Sequence, residues 1–166
     1  INNNIFTSNK DFSIYVGGLG NNSINGNNVF TPPSMPVSWA RGIFICSANN
    51  TLKNNLITGN NCYNFGVSGS YDQVIDISNK VNGEPIYYFV NQSDKSVPSD
   101  AGYVAIVNSR NITVENLDVS FNHQGLLVVN STYISVKDSS LGWNAYGAQL
   151  VDSTNCIIEN IEASYN

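Results

Sequence analysis

Charge is what this sequence holds least of. Charged residues make up 11% of the 166, where ordinary globular domains carry roughly 25%. Seven Lys and Arg against twelve Asp and Glu leave a net charge of −5. That offers no basic patch for a phosphate backbone, so nucleic acid is not an expected partner. No apolar run is long enough to cross a membrane, and no signal-peptide pattern opens the sequence as given. It starts on Ile1 rather than Met and is expected to be a processed or excised piece of a longer protein.

Histidine and methionine occur once each, and Cys46, Cys62 and Cys156 show no C-x-x-C spacing. Such a set is neither a disulfide framework nor a zinc site, and pairing of Cys46 with Cys62 is left open. His123 has no second His, Cys or carboxylate at ligand spacing, so neither a metal nor a cofactor is expected. No base stands at a motif distance from a Ser or Cys, and Gly17-Gly18-Leu19-Gly20 lacks the Lys and the helix of a phosphate loop. No catalytic residue is assigned, and the chain is not expected to be an enzyme.

Asparagine, in contrast, is about one residue in six. It falls in columns. Asn116, Asp138 and Asn160 stand 22 residues apart, Asn122, Asn144 and Asn166 keep the same interval, and so do Phe121, Trp143 and Tyr165. Between the columns apolar and polar residues alternate, as in Val114-Glu115-Asn116-Leu117-Asp118-Val119, which is strand periodicity. Short strands with Asn at the corners and a fixed period predict an all-β, right-handed parallel β-helix, because each rung buries its inner face by stacking on neighbours. Asn suits the corners since its amide tolerates left-handed backbone and bonds locally.

Extending the pattern backwards places Asn54 and Asn60 in the same two columns and gives about seven partial rungs in one domain, residues 1–166. Two lateral excursions are expected, near 31–40, where three prolines forbid a central strand, and over 66–101 as one enlarged rung. Gly102, Gly125 and Gly147 open successive rungs and are expected at corners of positive φ.

Three outward columns invite chemistry. Glu115, Lys137 and Glu159 alternate in sign, which fits surface attraction. Asp118 and Glu162, separated by Ser140, lie two rungs, roughly 10 Å, apart. That is loose for a retaining carboxylate pair and near the upper limit for an inverting one in glycoside hydrolysis. Val107, Val129 and Val151 form an apolar outward column, which something must cover. Alternation points Phe121, Trp143 and Tyr165 inward as an aromatic core, unless a corner just before Asn122 reverses them. Cys156 falls in the inward column of Ile112 and Ile134. For glycan contact the candidates are Trp39, Tyr87, Tyr88 and Trp143, whose rings could stack on sugars. Asn-x-Ser/Thr sites begin at Asn21, Asn49, Asn91, Asn111 and Asn130 and suit a secreted glycoprotein.

The run Val81-Asn82-Gly83-Glu84-Pro85-Ile86-Tyr87-Tyr88-Phe89-Val90-Asn91-Gln92, with Val97-Pro98-Ser99-Asp100-Ala101-Gly102 and Asn111-Ile112-Thr113-Val114-Glu115-Asn116-Leu117, resembles archaeal cell-surface proteins with right-handed parallel β-helix repeats. Such repeats are grouped with carbohydrate-binding and sugar-hydrolysing β-helix domains and with the periplasmic protein of nitrous oxide reductase maturation. The resemblance implies a cell-surface protein, and the polar ladders, the expected secretion and the lack of a catalytic cluster in the sequence predict an extracellular structural or adhesive module, surface-layer or filament-like, with weak contact to surface glycans. Partners would be further coils of a longer chain or other copies. A fragment of a β-helix polysaccharide lyase or glycoside hydrolase is the alternative.

Overall fold

The computed structural model describes residues 1–33 and 39–166, so the middle of the proline-rich excursion expected at 31–40 lies outside the described residues. All regular structure among them is β. The first half runs β1 (Ile5–Thr7), β2 (Phe12–Val16), β3 (Ser23–Asn25), β4 (Asn28–Phe30), β5 (Arg41–Ile45), β6 (Thr51–Lys53), β7 (Leu56–Thr58), β8 (Tyr63–Val67), β9 (Val74–Ile75) and β10 (Lys80–Val81). The second runs β11 (Glu84–Val90), β12 (Ser93–Val97), β13 (Tyr103–Val107), β14 (Arg110–Glu115), β15 (Gln124–Val129), β16 (Thr132–Ser140), β17 (Tyr146–Val151) and β18 (Ile157–Glu162).

Pairing is parallel and skips neighbours in sequence. In β14, β16 and β18, Ile112 lies opposite Ile134 and Lys137 opposite Glu159, which is the 22-residue register of the columns. Strands β13, β15 and β17 pair with the same interval. In the first half β2, β5 and β8 form one parallel sheet and β3, β6 and β9 another, with unequal spacing along the chain. This arrangement is compatible with a parallel β-helix.

One uninterrupted stack was expected, and the structure differs at Asn82-Gly83. There β10 and β11 pair antiparallel, Val81 opposite Glu84, around a two-residue turn whose φ angles are 52° and 95°. Asn-Gly is the preferred sequence for such a turn because both central residues need positive φ. Strand direction therefore reverses between the halves. The segment 66–101 is not one enlarged rung: β8 to β10 complete the first set of stacked strands, and β11 and β12 begin the second.

Both halves share an eight-stranded sheet, ordered β1-β4-β7-β10-β11-β13-β15-β17. Alternate residues of its second-half strands enter two different cores. Tyr103, Ala105, Val107, Leu127 and Val129 pack with Ile14, Ile43, Phe65 and Val67 of the first half. Val104, Ile106, Leu126 and Val128 pack with Ile112, Val114, Ile134 and Val136. Every residue of β13 and β15 is buried, as strands covered on both faces are. The Val107 and Val129 column is thus covered from within the chain. Its Val151 is partly buried against the same cluster. Burial of each valine side chain contributes about 1.5–3 kcal/mol.

Asn54, Asn116, Asp138 and Asn160 all have positive φ, between 48° and 56°. Asn160 Nδ2 donates to Asp138 Oδ1 at 3.0 Å. In the inner column, the Asn122 and Asn144 backbone amides donate to the side-chain oxygens of Asn144 and Asn166 at 2.9 and 2.7 Å. Asn54 and Asn60 do not extend these columns. Asn54 donates to Asn25 and Asn60 to Asn64, because the reversal puts them on a separate set of strands. That set has its own ladder, from exposed Asn4 through buried Asn27, Asn55 and Asn79, each amide donating to the next. Gly102, Gly125 and Gly147 lack positive φ. A Cβ at Gly125 would meet the Gly147 carbonyl oxygen at 2.6 Å, so close approach of the next strand demands the glycine.

Candidate functional site

Phe121, Trp143 and Tyr165 point outward, 39, 54 and 74% exposed, which corrects the expected aromatic core. The reason is local. Each residue has φ near +57°, and this left-handed corner just before Asn122, Asn144 and Asn166 reverses the alternation of the preceding strand. Bulky residues are rare there. The rings offset some of the strain by stacking: Phe121 on Trp143 at 6.1 Å and 20°, Trp143 on Tyr165 at 4.5 Å and 19°. Such pairs contribute about 0.5–1.5 kcal/mol beyond burial. Trp143 stacks with two rings, one on the rung before it and one on the rung after, while Tyr165 ends the stack and is its most exposed member.

Trp39 stands across from the stack. It is 68% exposed and makes no ring contact among the described residues. Between them lies a cleft of about 420 Å³, lined by Trp39, Asn61, Phe121, Trp143 and Tyr165 among others. The Ala40 amide donates to Asn61 Oδ1 at 3.0 Å, which ties the chain beside Trp39 to the cleft floor. A second cleft of about 360 Å³ adjoins it, sharing Asn61 and Phe121 and lined further by Thr58, Asn60 and Asn82.

Two of the four glycan candidates, Trp39 and Trp143, thus come together. The other two do not. Tyr88 is buried at 8% exposure, and its hydroxyl donates to the Tyr71 carbonyl at 2.7 Å. Burial pushes its phenol pKa far up, and a ring enclosed in the core has no face for a sugar. Tyr87, on the opposite face of β11, packs edge-on against Phe89 and donates to Asp100 at 2.9 Å. Alternation along one strand separates the pair.

The sequon residues Asn21, Asn49, Asn91, Asn111 and Asn130 are all exposed corners with φ between 44° and 58°. Asn111 and Asn130 also donate to Asp94 and Asn108, each at 2.7 Å. Among the acidic columns, Lys137 pairs with Glu159 at 3.3 Å. An exposed pair of this kind is worth about 0–1 kcal/mol. Asp118 and Glu162 flank Ser140 on successive strands, and neither lines the clefts.

Sequence reasoning missed an aromatic cluster on the outside of β2, β5 and β8. Phe12, Tyr15, Phe44 and Tyr63 pack in ring contact, and the Arg41 guanidinium lies 5.0 Å over Phe12 while pairing with Asp11 at 2.7 Å. No common period links these residues, so only the register reveals them. His123 closes the cluster against Phe44, Tyr63 and Tyr146 at 4.8–5.3 Å. Its buried Nδ1 has no hydrogen-bond partner among the described residues, and burial lowers its pKa, as does the charge of Arg41, against a hydrogen bond with Gln124. Among the described residues no three His, Cys, Asp or Glu are gathered to hold a metal. All three cysteines are free thiols, so Cys46 and Cys62 are not bridged, and Cys156 sits at the margin of the second core.

No family model, no curated protein and no solved structure matches the chain.

Proposed function

We propose that the chain is a structural and adhesive module of an extracellular, cell-surface protein, built as a right-handed parallel β-helix and making weak contact with glycans. The observation that carries this reading is the solvent-facing stack of Phe121, Trp143 and Tyr165 opposite Trp39. A chain so poor in charge gains little from placing large rings in water unless they meet something. Constant 22-residue register in β13 to β18 supports the coiled architecture, and sequons on exposed corners support a glycoprotein. The resemblance to archaeal β-helix surface proteins belongs to the same proposal.

The test is retention of the chain on immobilised polysaccharides, run beside a turnover assay on acidic and neutral polysaccharides in solution. Retention without product release is expected. Turnover that disappears on Asp118→Asn or Glu162→Gln would replace this reading with the β-helix lyase or glycoside hydrolase.

A further inference from the structure

We infer that the two adjoining clefts take an uncharged oligosaccharide, with Trp39 rather than Trp143 as its stacking platform. The inference rests on the glycan-contact reading above and assigns it a place and a ligand class. Among the described residues, no charged side chain lines either cleft. The Arg41 guanidinium pairs with Asp11 through Nη1, lies against Phe12 and Tyr63 and lines neither cleft, so a uronate or sulfate group would lose water without meeting a cation.

Stacking geometry decides between the tryptophans. An indole binds a sugar through its flat face, and Trp143 has Phe121 on one side and Tyr165 on the other. Trp39 is 68% exposed and makes no ring contact among the described residues. Directional bonds come from amides: Asn61 Oδ1 holds the Ala40 amide, while its Nδ2 has no hydrogen-bond partner among the described residues and borders both clefts. Apolar faces with a few convergent polar groups are what an oligosaccharide of neutral hydroxyls requires. Since the clefts share Asn61 and Phe121, a chain of sugars fits them better than a single ring.

The experiment is isothermal titration of the whole chain with cellohexaose, mannohexaose and chitohexaose, and with hexagalacturonate as the acidic arm. At least one neutral hexamer is expected to bind, Trp39→Ala to weaken it by about tenfold or more, and Tyr87→Ala to leave it unchanged. Circular dichroism checks that both variants keep the parent fold, as substitution at exposed Trp39 should allow. Hexagalacturonate bound as tightly and lost on Trp39→Ala would overturn the neutral selectivity while sparing the glycan reading. Neutral binding that survives Trp39→Ala would overturn the site. Silence toward every hexamer would overturn the inference, and lack of retention on polysaccharides would remove the glycan reading with it.

Discussion

Asn55 donates its Nδ2 to Asn79 Oδ1 across 2.7 Å at a position only 1% exposed, and also to the Ile24 carbonyl at 2.9 Å. Its own Oδ1 accepts from both the backbone and the side chain of buried Asn27. Asn55→Ala would strand those Asn27 donors away from water. We expect a loss of about 3 kcal/mol in urea unfolding, the scale of buried unsatisfied polar groups. Asn22→Ala removes a similar bond, to Asn50 at 2.9 Å, from an exposed position. There the loss should stay below about 1 kcal/mol, because Asn50 Oδ1 keeps the Asn22 backbone amide as a donor and no donor is stranded. Equal losses at the two sites would show that burial does not set the strength of these ladders.

Trp143 tests whether the corner or the stack matters more. With φ at 56°, a β-branched side chain is strained there while Asn is tolerated. Both Trp143→Asn and Trp143→Val abolish ring stacking. The valine variant should nonetheless be less stable than the asparagine variant by about 1–2 kcal/mol, read from denaturation midpoints. Were the residue in ordinary strand geometry, valine would be the better choice and the order would invert.

His123 gives the molecule a pH dependence with a defined sign. Burial holds its folded pKa below the ordinary value. The unfolded chain therefore binds the proton more readily. The stabilising contribution is complete above the unfolded value, near about 6.5. It is lost as pH falls from there through the folded pKa. His123→Phe, which suits a pocket of Phe44, Tyr63 and Tyr146, should flatten the stability profile on the acid side of about pH 6.5. A profile of unchanged slope in that variant would assign the dependence to other groups.

The repeats were legible where parallel pairing locks register. Ile112 beneath Ile134 and Glu115 beneath Lys137 follow from a shared period, because a slip of one residue would turn each inner face outward. The aromatic column was found but faced wrongly, since alternation does not survive a left-handed corner such as Phe121. The reversal at Asn82-Gly83 carried a hairpin signal that a search for one continuous period passes over. Missing it placed Asn54 and Asn60 in the wrong columns. The cluster around Arg41 and the placement of exposed Trp39 across from the aromatic stack depend on unequal intervals between residues, which no period reports.

The wall of β11, β13, β15 and β17 has a thermodynamic consequence. Proteins assembled from stacked repeats ordinarily fray one unit at a time, since each unit touches only its immediate neighbours. Here Leu126 and Leu127, adjacent in sequence, anchor different cores. Peeling β15 away exposes apolar surface on both sides at once, so neither half can open at that strand without weakening the other. The shared wall makes the two halves a single cooperative unit.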